Sequence, residues 1–91
     1  MNNLSCMRCF VSGKVQGVWY RASAKEQAEQ LGVNGWARNL PDGRVEVFAC
    51  GPQDKLEQLY LWLQEGPRLA IVHDCSREDL PWEEYEGFDT F

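Results

Sequence analysis

The segment GKVQGVWYR, Gly13 to Arg21, sets two glycines and a short apolar run ahead of an arginine. Glycines permit tight turns and close backbone approach. Successive N–H groups of such a loop can therefore converge on one anion, helped by the positive end of a helix that follows. Arg21 adds a planar fork of donors suited to a phosphoryl group. Asn39 stands just before Pro41, Asp42 and Gly43, and a neutral amide can hold a water molecule by donating to it and accepting from it. Each feature also has a plainer reading. Glycine loops before helices are common, Arg21 could be a solvated residue of a first helical turn, and asparagine often caps a turn with its own side chain. Taken alone, the loop names no reaction.

Other reactive groups are sparse. His73 is the one histidine, whereas serine, cysteine and zinc hydrolases rely on a well-placed imidazole. Chemistry without histidine is favoured, and His73 reads as a strand residue near the surface. Cys6 and Cys9 form a CxxC, a pair that ferredoxin-like metal chaperones use for soft metals. In those proteins the pair follows the first strand. Here it precedes or enters the strand, where alternation turns the two side chains to opposite faces. Soft-metal binding through Cys6 and Cys9 is the strongest rival reading; the expectation is no metal and no cofactor.

The elements that must position these residues fit one domain, residues 1–91, with one modest core. Fourteen acidic against nine basic side chains leave a formal net charge of −5, which opposes the attraction that nucleic-acid and anionic-membrane binders use. No apolar run is long enough to span a bilayer, and the start, MNNLSCMRCF, lacks the pattern of a signal peptide. The expectation is a cytoplasmic monomer acting on a small molecule, with no nucleic-acid or membrane partner.

Alternation predicts a first strand over Arg8 to Lys14. After Arg21, Ala24, Ala28 and Leu31 share one helical face that stops at Gly32. Trp36 to Leu40 and Arg44 to Cys50 read as a hairpin across Pro41, Asp42 and Gly43. Leu56, Leu59, Tyr60 and Leu63 stripe a second helix over Asp54 to Glu65, ended by Gly66 and Pro67. Leu69 to Cys75 reads as a fourth strand, and Gly87 to Phe91 as a short edge strand. The acidic run around Glu78 to Glu86 reads as a solvated face, and Tyr60, Trp62 and Trp82 as core or tail packing.

The order βαββαβ is that of the α+β, ferredoxin-like sandwich, an antiparallel sheet of four or five strands with two helices on one face. With sheet order 4-1-3-2, the first and second strands run parallel, so the loop before Arg21 and the hairpin carrying Asn39 meet at one edge. Val45, Val47 and Ala49 of the third strand and Cys9 and Val11 of the first should face the core. Glu46, Phe48, Cys50 and Cys6 then fall on the open face, and antiparallel neighbours would bring Cys6 and Cys50 together. A disulfide between them is expected on this ground, against the general tendency of a reducing cytoplasm. Phe10 and Phe48 on the open face also admit an RNA-binding platform, which the net charge and the missing basic-aromatic signature oppose.

GKVQGVWYR followed by GWARNLPDGRVEVFACG, Gly35 to Gly51, is similar in order and spacing to both signature segments of the acylphosphatases, and the compatible elements cover nearly the whole chain. The resemblance implies hydrolysis of an acyl phosphate to a carboxylate and inorganic phosphate, without metal, cofactor or covalent intermediate. Arg21 matches the family's phosphate-binding arginine and Asn39 its water-orienting asparagine. The backbone amides of Val15, Gln16, Gly17, Val18, Trp19 and Tyr20 would complete the cradle. Trp19 is bulky for such a loop and reads equally as a wall of the substrate site or as cover for the core.

Overall fold

The computed structural model describes residues 3–91. Strand β1 (Leu4–Lys14) turns Met7, Cys9 and Val11 onto a buried face. A helix, α1 (Tyr20–Leu31), buries Ala24 and Ala28 and ends at Gly32, whose N–H meets the carbonyls of Ala28 and Glu29. Strand β2 (Asn34–Asn39) and strand β3 (Val45–Pro52) form the hairpin, with Val45, Val47 and Ala49 in the same core. The second helix, α2 (Gln53–Glu65), starts directly after β3 and buries Leu56, Leu59 and Leu63; each such leucine contributes about 1.5–3 kcal/mol of apolar burial. Strands β4 (Ile71–Leu80) and β5 (Phe88–Thr90) complete the chain.

The five strands form one sheet in the order β4-β1-β3-β2-β5. Four of them pair antiparallel, as expected. The fifth corrects the expectation of a wholly antiparallel sheet, because β5 runs parallel to β2, with Gly35 opposite Phe88 and Ala37 opposite Thr90. β4 also runs on to Leu80, past the end at Cys75 that the sequence suggests. Its outward residues are polar and carry little hydrophobic signal. What sustains the strand is the ladder to β1, which pairs Cys9 with Arg77 and Cys6 with Leu80.

The second face of the sheet is partly covered. Residues 81–87 link β4 on one edge to β5 on the other, and Tyr85 packs edge-on to Phe48 with ring centroids 6.3 Å apart. Trp36 stacks on the same Phe48 at 5.7 Å. Phe48 is therefore buried. Phe10 stays half-buried beneath the Arg44 guanidinium, 4.9 Å from its ring. Cys6 and Cys50 are register partners and form a disulfide, with sulfurs 2.07 Å apart. Cys9 lies on the opposite, core face beside Cys75, so the CxxC cysteines do not converge. The hydrogen bond with Cys75, and then burial, push the Cys9 thiol up. Among the described residues, no group of three or more His, Cys, Asp or Glu side chains is arranged to hold a metal, and no helix is long and apolar enough to cross a membrane. His73 is exposed on β4, and Trp82 is exposed in the tail.

Candidate active site

β1 and β2 each pair antiparallel with β3, so they run parallel to one another and their C-terminal ends share an edge. The loop from Val15 to Trp19 leaves that edge from β1. Its departure is set by Gly13, where the register with β4 shifts. Gly13 has φ 125°, and a Cβ there would lie 2.1 Å from the carbonyl oxygen of Ile71, so a side chain cannot pass β4 at this point. Within the loop, Val15 and Val18 point into the core and pin the backbone from below.

The loop ends at Trp19, the N-cap of α1, in the left-handed region with φ 65° and ψ 21°. Such geometry is unfavourable by about 1–2 kcal/mol for a residue with a Cβ. The Trp19 carbonyl accepts the Ser23 N–H at 2.9 Å, which starts the helical ladder. No side chain caps the helix, and its first turn holds no acidic residue. The first N–H groups of α1 thus lack intrahelical partners, and no acidic side chain of the first turn neutralises the positive end of the helix.

An open cleft of about 330 Å³ lies here. It is lined by Val15 and Gly17 of the loop, by Trp19, Tyr20, Arg21 and Ala22 at the helix start, and by Thr90 of β5. Two of the expected cradle residues, Gln16 and Val18, are not in the lining. Val18 is buried, and the Gln16 side chain turns toward the hairpin. Arg21 is half-buried, and its Nη1 donates to the main-chain oxygen of Phe91. Phe91 is itself held by its N–H on the Ala37 carbonyl at 3.0 Å and by its ring against Trp36. This bond engages one of the five guanidinium donors.

Tyr20 ties the helix start to α2. Its hydroxyl donates to the Leu63 carbonyl at 2.6 Å, and its ring lies 5.6 Å from that of Trp62. Leu63 is in the last turn of α2, where carbonyls have no helical partner. The bond satisfies both groups and fixes where Arg21 begins. Burial pushes the Tyr20 phenol well above its usual range.

Asn39 is the last residue of β2, opposite Val45, and is exposed. It is not in the cleft lining. Two observations bear on its surroundings. The turn after it is capped by Asp42, which accepts the Arg44 N–H at 3.0 Å and Arg44 Nε at 2.8 Å, so the capping role open to Asn39 falls to another residue. Those bonds hold the Asp42 carboxyl below its ordinary value. Gln16 Nε2 donates to the carbonyls of Leu40 at 2.9 Å and Arg44 at 3.0 Å, bridging the loop to the hairpin one residue beyond Asn39. On the other face, Arg38 is drawn to the buried Glu46 carboxylate at 2.6 Å, with Arg8 3.3 Å from the same group. The bridging role of Gln16 and the presence of Thr90 and Phe91 escape sequence reasoning. Gln16 leaves one trace, a polar amide among glycine and valine neighbours.

The family model for acylphosphatase matches residues 7–90. An acylphosphatase of Legionella pneumophila (strain Corby) is 69% identical over 85 residues, covering 93% of each chain. The structure of an acylphosphatase from Coxiella burnetii superposes with a TM-score of 0.93 at 43% identity, covering 98% of this chain and 94% of that one. That of an acylphosphatase from Bacillus subtilis gives 0.92 at 31% identity, covering 98% and 99%. A match in sequence and fold along nearly the whole length, joined to a helix-start cleft beside an arginine, means that this chain belongs to the acylphosphatase family of hydrolases.

Proposed function

We propose that this acylphosphatase cleaves acyl phosphates by direct attack of water on phosphorus, with Arg21 and the loop amides gripping the phosphoryl group and Asn39 orienting the water. The water oxygen bonds to phosphorus as the phosphorus–oxygen bond to the acyl group breaks. The electron pair leaves on the carboxylate, and the water proton passes to the product phosphate or to solvent. The observation that carries this reading is the uncapped, acid-free start of α1 opening on the cleft with Arg21.

The lining supplies positive charge and amide donors and no carboxylate, imidazole or thiol. Tyr20, whose phenol is pushed up by burial and bonded to Leu63, is not placed to trade protons. A carboxylate leaves readily without a general acid, so positioning and charge stabilisation can supply most of the catalysis. The same reading takes the enzyme as a cytoplasmic monomer acting on a small molecule. The net charge of −5 supports the absence of a nucleic-acid partner.

Benzoyl phosphate turnover tests the two named residues. Arg21→Ala should lose about 3 kcal/mol of transition-state stabilisation in kcat/KM, as for deletion of an anion-hole donor. Asn39→Ala should lose kcat while inhibition by inorganic phosphate persists. Undiminished turnover in the first variant, or a purely phosphate-affinity defect in the second, overturns the assignment.

A further inference from the structure

Among the described residues Trp19 is the one non-glycine residue with a positive φ, and at 76% exposure it is the most exposed of the large hydrophobic side chains. The two facts together conflict with a packing role. An indole gains by burial, and a left-handed backbone disfavours any residue with a Cβ, yet here an unfavourable conformation presents the ring to water. The core under the loop is filled by Val15, Val18 and Tyr20 without it. Strained residues that packing does not reward concentrate where ligands bind, and Trp19 lies on the wall of the cleft that holds Arg21.

With the phosphoryl group against the helix start, the acyl group is the part of the substrate left outside the cradle. It emerges beside an exposed, flat, apolar ring. The neighbouring Ala22 and Thr90 are small, so the lining leaves room for more than a methyl group. We propose that the Trp19 indole is the acyl-recognition surface of this site and selects flat, apolar acyl phosphates over those with small acyl groups. The inference rests on the acyl phosphate reading above and extends it to the leaving-group side.

The test is the ratio of kcat/KM for benzoyl phosphate to that for acetyl phosphate. In Trp19→Ala the ratio should fall about fivefold, the size of one lost aromatic contact, and in Trp19→Phe it should stay within about twofold of wild type. Trp19→Gly removes both the ring and the positive-φ strain, and should show the same lowered ratio on a relaxed loop. A ratio that stays within about twofold of wild type in the alanine and glycine variants overturns the proposal. That includes the case in which a disturbed loop lowers both substrates together. Wild-type protein that cleaves neither compound refutes the acyl phosphate reading as well, whereas wild type that cleaves both with an unmoved variant ratio refutes the indole platform alone.

Discussion

Replacing Gln16 by alanine removes both hydrogen bonds between the Val15–Trp19 loop and the hairpin. Each contributes about 0.5–1.5 kcal/mol net, so the gross loss is about 1–3 kcal/mol. Neither acceptor is stranded. The Leu40 carbonyl keeps the Gly43 N–H at 3.1 Å, and the Arg44 carbonyl keeps the Leu40 N–H at 2.8 Å. With no desolvation penalty added, the lower part of the range applies, about 1–2 kcal/mol. A domain of ordinary stability, about 5 kcal/mol or more, stays folded after that loss. Activity should fall much further, because on the proposed mechanism loop and hairpin carry the two halves of the site and a misplacement of about 1 Å can cost about 100-fold. We expect kcat on benzoyl phosphate to drop about 10- to 100-fold, with urea unfolding reporting the small stability change. Gln16→Glu has nearly the same shape but no N–H donors, so it should do no better than alanine. Full kcat in either variant alongside the stability loss would refute the reasoning, since the two bonds would then hold the fold without aligning the site.

Two further predictions concern stability. Cys6 and Cys50 are separated by 44 positions, and closing a loop of that length restricts the unfolded chain by an amount in the range of about 2–4 kcal/mol. Cys6→Ser should therefore lower urea-derived stability by that much yet leave kcat near wild type, because the pair lies toward the end of β1 and β3 remote from the cleft; equal stability with and without reductant argues against it. Asp42 is held by Arg44 in a form that favours its charge. Its contribution is fully present above the unfolded carboxylate value of about 3.9 and is lost as pH falls through the lower folded value. The stability difference between wild type and Asp42→Ala should shrink across that acidic window, and a difference independent of pH contradicts the assignment.

Local physical chemistry made much of this protein legible in its residues. The stripes Ala24–Ala28 and Leu56–Leu59–Leu63, the stops at Gly32 and Gly66, and the turn at Pro41 to Gly43 are short-range signals, and the structure carries both helices and the hairpin where they point. Alternation assigned Cys9 and Cys6 to opposite faces and set Cys6 against Cys50, because a period of two leaves a strand no other choice. Arg21 and Asn39 reached one edge through topology alone, as strands flanking a shared antiparallel neighbour must run the same way.

Other features depended on partners distant in the chain. β4 persists through Arg77 to Leu80 because β1 offers it a ladder, and its polar outward face gave no periodic warning. β5 pairs parallel with β2, and only that direction carries Thr90 and Phe91 to the C-terminal edge, where they meet the cleft and Arg21. Gln16 could have pointed to solvent; the carbonyls that receive it lie 24 and 28 positions away. Trp19 was poised between wall and core cover, and the filling of the core by Val15, Val18 and Tyr20 sent it outward. Periodicity and turn chemistry act over a few residues and so belong to the sequence. The destination of a polar or aromatic side chain is a competition among sites assembled from the whole chain, and only the tertiary structure decides it.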